Sequence, residues 1–196
     1  LKEFQKKLAK TIKLMFNWIV HMSHPDNNIS FFNDSTHDIC LNIKDLFNIL
    51  HKYNLILTSL NISEGLHKFS NSGFYILKND NFYLIANISN IIPKYQPGHS
   101  HADTLSFELS ILNKRFIVNS GISTYEYNDL RKFQRSTKAH NTLILDNKNS
   151  SDVWSSFRVG KKAKAKVLDN FDSPNSIYVK GLHNGFSKYF NSITHT

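Results

Sequence analysis

Apolar residues recur along this chain first at a helical interval and later at a strand interval, and that change divides it. Over residues 1–22, Leu1, Phe4, Leu8, Ile12, Met15, Phe16, Ile19 and Val20 fall on one i, i+3, i+4 stripe beside Trp18, with lysines opposite. The spacing predicts an amphipathic helix whose apolar face packs on other helices, of which the remaining sequence supplies few. A basic face also suits a membrane surface, although a stripe of this kind is more often plain core. His24-Pro25-Asp26-Asn27-Asn28 ends the helix, and Phe31-Phe32-Asn33-Asp34-Ser35 follows as a linker. A short helix is expected from 42 or 44 to 53 on Ile43, Leu46, Phe47, Ile49 and Leu50, while residues 58–71 predict no element. From Gly73 the period becomes two. Residues 74–77 and 82–87, joined by Lys78-Asn79-Asp80-Asn81, read as a hairpin of aromatic and β-branched strands that opens a sheet.

Residues 98–142 hold most of the chemistry. They open with Gly98-His99-Ser100-His101-Ala102-Asp103 and close with Thr137-Lys138-Ala139-His140-Asn141-Thr142. Were 99–111 one continuous strand, His99, His101, Asp103, Leu105, Phe107, Leu109 and Ile111 would share a face, the last four of them core-facing. A turn at Asn113-Lys114 then returns the chain to Asn119, with Leu109 opposite Val118 and Glu108 opposite Asn119. Full extension would carry His101 about seven residues, roughly 20 Å, beyond that pairing. Pro97-Gly98 favours a curl of 98–103 into a loop instead. Residues 125–138 form a polar excursion at the surface or along a cleft. Strands are expected at 141–146, before a turn at Asp146-Asn147-Lys148-Asn149, and at 157–168, burying Ala163, Ala165 and Val167 and exposing Lys162, Lys164 and Lys166. Residues 177–182 and 191–196 complete the series.

Composition narrows the class. With 196 residues and 40% hydrophobic content the chain buries a real core and fits one domain, or one and a piece. No apolar run is long enough to span a bilayer. A start at Leu1 without a signal peptide is expected to differ from the native start. The single cysteine, Cys40, excludes an intrachain disulfide framework and reads as a small apolar residue. Twenty-four basic against 15 acidic residues give a net charge of +9, which suits acidic polysaccharide, nucleic acid or anionic lipid. A coding bias toward Lys, Asn and Ile accounts for the charge equally well.

The succession Pro97-Gly98-His99-Ser100-His101-Ala102-Asp103-Thr104-Leu105-Ser106-Phe107-Glu108, then Val118-Asn119-Ser120-Gly121 with Thr124-Tyr125, then Arg135-Ser136-Thr137 with Ala139-His140-Asn141-Thr142, and finally Trp154 with Phe157-Arg158-Val159, resembles the heparinase II/III-like polysaccharide lyases. The match spans roughly residues 31–195. The resemblance implies a mainly β fold: an antiparallel β-sandwich, incomplete at its C-terminal end over 73–196, after a linker with a short helix at 23–72 and, at 1–22, the last helix of an (α/α) toroid. It implies β-elimination on uronic-acid polysaccharide in the cleft between the two parts. It also makes His183-Asn184-Gly185-Phe186 a counterpart of the family's His-Asp-Gly-Tyr turn.

Carried over residue by residue, the resemblance makes His99 the active-site histidine and His101 and His140 zinc-binding positions. The third metal position, an aspartate in the family, is Asn119 here. A neutral amide is a poorer zinc ligand than a carboxylate, so a metal-free polar cluster stays open beside zinc. Asn33 and Asp34 fall on the segment crossing between the two parts, where they line the cleft as substrate-binding residues or serve a turn. The remaining catalytic groups, a tyrosine and an asparagine or histidine, are placed before Leu1, which implies no lyase activity from these residues alone.

Elimination needs the uronate carboxylate neutralised, the adjacent carbon-bound proton removed and the departing oxygen protonated. His99 suits the proton steps. Arg135 offers a fork for the carboxylate, Tyr125 a hydroxyl for a sugar oxygen, and Asp103 orients a histidine or caps the loop. The blocks 103–108 and 116–121 look like the branch linked to surface-polysaccharide production, which implies a periplasmic or cell-envelope location. A non-catalytic carbohydrate-binding or scaffold protein on the same fold is the alternative, made credible by Asn119. A nucleic-acid partner lacks any helix-turn-helix or stacked-aromatic signature.

Overall fold

A computed structural model describes residues 1–55, 61–91, 93–191 and 193–196. The apolar stripe forms helix α1, Lys2–His21, and the short helix α2 is Ile43–Lys52. Asn42 caps α2 by accepting the Asp45 N–H at 3.0 Å. The second half of α1 is covered by α2: Phe16 packs on Leu50, with Ile12, Ile19, Leu46 and Phe47 around them. The first half leaves Leu1, Phe4 and Leu8 exposed.

Five strands form one antiparallel sheet in sequence order: β1 Gly65–Phe69, β2 Phe74–Lys78, β3 Phe82–Asn87, β4 Phe107–Ile111 and β5 Lys114–Ile117. The hairpin expected after Gly73 is β2–β3, with Leu77 opposite Leu84. The sheet opens one strand earlier, because half-buried Gly65–Phe69 pairs along β2 without a strong alternation of its own. Strand alternation sorts the sheet into two apolar faces. Phe74, Ile76, Tyr83 and Ile85 pack under Phe32, Trp18 and Met22, and Ile76 and Ile85 are fully buried, each contributing about 2–3 kcal/mol. Tyr75 and Leu77 face Ala165, Val167, Ile177 and Val179 from a second sheet, the hairpin of β8 Ala165–Ser173 and β9 Ser176–His183. Two antiparallel sheets face to face make the fold a β-sandwich. Between them in sequence lie a helix, α3 Asp129–Arg135, and a ribbon of β6 Val153–Trp154 and β7 Arg158–Val159.

Several expectations shift. The β4–β5 turn is Leu112-Asn113, both at positive φ (47° and 62°), one residue before the expected Asn113-Lys114. An irregularity between Leu109 and Ser110 then sets Leu109 opposite Ile117. Residues 141–146 form no strand, because Asn141 and Thr142 bond Phe107 O, Asn119 and Thr104 O; only a Leu145–Lys148 bridge flanks the turn. The 157–168 run is broken, since Asp152 O and its carboxylate take the Gly160 and Lys161 N–H groups; beyond the break Ala163 is buried and Lys164 and Lys166 are exposed. Of the 191–196 strand only a bridge from His195 to His183 forms, residue 192 lying outside those described. Part of the 58–71 stretch, residues 58–60, lies outside them too.

β4 departs most from its pattern. Ser106, Glu108 and Ser110 are buried, whereas Phe107 and Leu109 are half-buried and Ile111 is 38% exposed. The polar row faces the closed side of the sheet. There Glu108 receives His24 at 2.8 Å, the Phe31 N–H at 2.7 Å and the Asn119 N–H at 3.1 Å, while Ser110 Oγ meets the other nitrogen of His24 at 2.7 Å. One carboxylate thus joins the exit of α1, the 31–35 segment and the end of β5.

Candidate active site

Residues 98–103 curl as a loop, closed by the Ser100 N–H on Pro97 O and tied to α3 by the Ala102 N–H on Arg135 O, each at 3.0 Å. The curl sends His99 and His101 toward Asp34 on the 31–35 segment. His99 Nδ1 meets Asp34 Oδ2 and His101 Nε2 meets Asp34 Oδ1, both at 2.8 Å. Arg131 of α3 donates to both carboxylate oxygens, through Nη1 to Oδ1 and through Nη2 to Oδ2 at 2.9 Å. Burial pushes the Asp34 carboxyl upward, but His101, Arg131 and His99 together hold it down to about 2. It is an ionised acceptor with both oxygens occupied.

That arrangement fixes a tautomer. A carboxylate only accepts, so the His99 nitrogen facing it carries the hydrogen, and in the neutral ring Nε2 keeps its lone pair. The His99 side chain is 62% exposed, against 5% for Asp34 and none for His101. His99 and Asp34 both line a groove of about 390 Å³, with Tyr125, Asn33, Trp18 and Phe74 among its other walls. Tyr125, Phe157 and His99 form an aromatic triangle with ring centres 5.4–5.9 Å apart, and the Arg131 guanidinium lies under Tyr125 and Phe157 at 5.2 and 5.4 Å.

Behind His99, His101 Nδ1 stands 3.1 Å from His140 Nε2. The outer nitrogens are engaged by Asp34 and, for His140 Nδ1, by Ser136 O at 2.7 Å. Burial lowers both imidazoles, His140 to about 3 with further help from His101. Two neutral rings supply two N–H groups for these three contacts, so one of the three lacks a hydrogen unless a cation is shared between the rings. Imidazoles whose outer N–H groups are held by a carboxylate and a carbonyl are dressed as metal ligands usually are. The third position does not fit. Asn119 Oδ1 accepts the Asn141 N–H at 3.2 Å and its side-chain amide at 3.4 Å, and among the described residues no group of three His, Cys, Asp or Glu is placed to hold a metal ion. Two imidazole nitrogens face one another here, and the residues present do not assemble the three-ligand set.

The structure closes one expected role and narrows two others. Arg135 is 1% exposed and donates to Ser100 O at 3.0 Å and to the carbonyls of Trp154, Ser155 and Arg158 at 3.1–3.4 Å, so its fork is closed to a uronate. Burial and neighbouring Arg131 bring it down to about 10. Asp34 lines the groove as expected, and there both its oxygens are taken up by His99, His101 and Arg131. Asp103 takes the second of its two expected roles: it forms no hydrogen bond to a histidine among the described residues, accepts from Asn87 Nδ2 at 3.0 Å and from the Asn33 backbone, capping the loop, and burial pushes it up to about 7. Asn33 stays on the groove wall, its Oδ1 accepting the His101 N–H at 3.4 Å.

Arg131 escaped the sequence reading, and Glu108 and Phe157 entered it only within the matched blocks, without a role at the site. Asn128, which caps α3 by accepting the Arg131 N–H, is the one local signal of a helix there, and it puts Arg131 and Arg135 one turn apart on a single face.

The family model for the heparinase II/III-like C-terminal region matches residues 61–196. A curated heparin-sulfate lyase of Pedobacter heparinus is 25% identical over 169 residues, covering 76% of this chain and 25% of that protein. The crystal structure of a heparan sulfate lyase mutant from the same organism superposes with a TM-score of 0.67 at 19% identity, over 91% of this chain and 29% of the other; that of heparinase III gives 0.60 at 18%, over 88% and 29%. The chain thus spans about a quarter of the length of the curated relative. No described helix is long and apolar enough to cross a membrane. Matched by that model over well more than half its length, the chain belongs to the heparinase II/III-like family and carries its C-terminal sandwich.

Proposed function

We propose that this chain supplies the β-sandwich wall of a polysaccharide lyase acting by β-elimination on a uronic-acid glycan. One observation carries the proposal: the buried Asp34 carboxylate takes the Nδ1 hydrogen of exposed His99, which in the neutral ring leaves Nε2 able to accept a proton on a side chain that lines the groove. A bare imidazole nitrogen removes the proton beside the uronate carboxylate; the bond from the sugar to its neighbour's oxygen then breaks, and the same ring, now protonated, can return a proton to that oxygen. Tyr125, on the groove rim beside His99, is the hydroxyl suited to a sugar oxygen. No step runs through the His101–His140 pair, which stiffens the wall behind His99. The relatives named for heparin and heparan sulfate support a glycosaminoglycan as the acidic polymer.

Asn119 favours a second reading, a non-catalytic glycan-binding protein on the same fold. Incubating the full-length protein with heparan sulfate, heparin and other uronate polymers separates the two through the ultraviolet absorbance of the unsaturated uronate. Turnover that falls 10²- to 10⁴-fold in His99→Ala, roughly the general range for one acid–base group, is the expected result. Binding without turnover by the unmodified protein would establish the second reading.

A further inference from the structure

The ribbon β6–β7 is a surface hairpin whose backbone is held from below with unusual completeness. Arg131 donates to Ser156 O from Nε and Nη2 at 3.1 and 2.9 Å. Arg135 takes the carbonyls of Trp154, Ser155 and Arg158. Four carbonyls of the five-residue stretch 154–158 are therefore fixed by two guanidinium groups that are themselves 0% and 1% exposed. Ser155 is held at a positive φ of 51°. Burying two arginines is costly unless every N–H finds an acceptor, and here the acceptors belong to an exposed turn.

The hairpin presents large side chains outward on this rigid base. Trp154 is 58% exposed and Phe157 44%. Trp154 pairs directly with Arg158 across the ribbon, so the indole and the guanidinium share its outer face. Arg158 is exposed and forms no ion pair among the described residues, whereas Arg115, Arg131 and Arg135 are all engaged internally. Phe157 lies 5.8 Å from the His99 ring, and Arg131 reaches both Ser156 O and Asp34, so one guanidinium sets the hairpin and the His99 carboxylate in register.

We propose that the 153–159 hairpin is a preorganised subsite for an anionic sugar residue next to the bond broken at His99. The Trp154 ring stacks on the pyranose face and the Arg158 fork pairs a carboxylate or sulfate on the same sugar. This rests on the lyase reading and adds a second contact point along the same polymer.

The test is the affinity of the full-length protein, made inactive by His99→Ala, for heparan sulfate oligosaccharides of increasing length, with polyphosphate as a polyanion lacking sugar rings. Trp154→Ala is expected to weaken oligosaccharide binding about tenfold and leave polyphosphate unmoved. Arg158→Gln is expected to weaken both, with Arg158→Lys recovering the polyphosphate arm only. In the His99 background both variants are expected to raise KM on long chains at unchanged kcat. Unchanged oligosaccharide affinity in Trp154→Ala and Arg158→Gln, both shown folded by circular dichroism, would overturn the subsite and leave turnover by His99 standing. Weakened binding in a protein without any lyase activity would keep the subsite and remove the lyase reading. Equal weakening of both probes by Trp154→Ala would overturn the stacking role.

Discussion

Glu108 shows how a single buried acid can organise a site it never touches. Its two oxygens take the His24 ring and the backbone N–H groups of Phe31 and Asn119, all away from water. Glu108→Ala strands two buried N–H donors and one imidazole, and its expected cost is about 3–5 kcal/mol in urea unfolding. Glu108→Gln keeps an oxygen for the two backbone donors and turns its amide toward His24, whose other nitrogen can then donate to Ser110, so a markedly smaller loss is expected. Equal losses in the two variants would mean that the site does not depend on this acceptor. Glu108 was invisible to the hydrophobic pattern because alternation along β4 reads Leu105, Phe107 and Leu109 as the core-facing row. The strand buries the other row.

Segments behave the same way. α3 has Leu130 and Phe133 outside, 50% and 46% exposed, and Arg131, Gln134 and Arg135 inside, so reading residues 125–138 as polar surface missed a helix that faces inward with its charges. The histidine loop was legible, since Pro97-Gly98 demands a turn and only a turn brings His101 near His140. The identity of the acid they share was less so: Asp34 read as a cleft residue, and nothing within four residues of it in sequence says that two imidazoles and a guanidinium converge there. The 31–35 segment that carries Asp34 is clamped at one end by Glu108 and at the other by Gly121. Gly121 has φ +58°, and a Cβ there would sit 2.6 Å from Ser35 O, the acceptor of the Ile122 N–H at 3.1 Å. Gly121→Ala is expected to cost about 1–3 kcal/mol from the strained φ and the displaced carbonyl together, and to lower turnover as Asp34 moves. A variant as stable and active as the parent would show that the clamp has slack.

At the scale of the molecule, the sandwich was readable because its hairpins announce themselves: β2–β3 by aromatic and β-branched strands about a polar turn, and β8 by lysines alternating with Ala163, Ala165 and Val167. What ties the loops and helices around the site to one another and to the sheet was hidden, because it is polar. His24–Glu108, Asp34–Arg131 and Arg135 with its carbonyls bring together residues at least 19 apart in sequence, a separation no local period reports. These joins converge on the placement of one hydrogen atom, on His99. Nitrogen-15 NMR of the histidine side chains in the folded protein reads it directly. The account predicts His99 in the Nδ1–H form with Nε2 unprotonated, and a change in that signature in Asp34→Asn. His99 in the Nε2–H form, or a spectrum indifferent to Asp34→Asn, would contradict it.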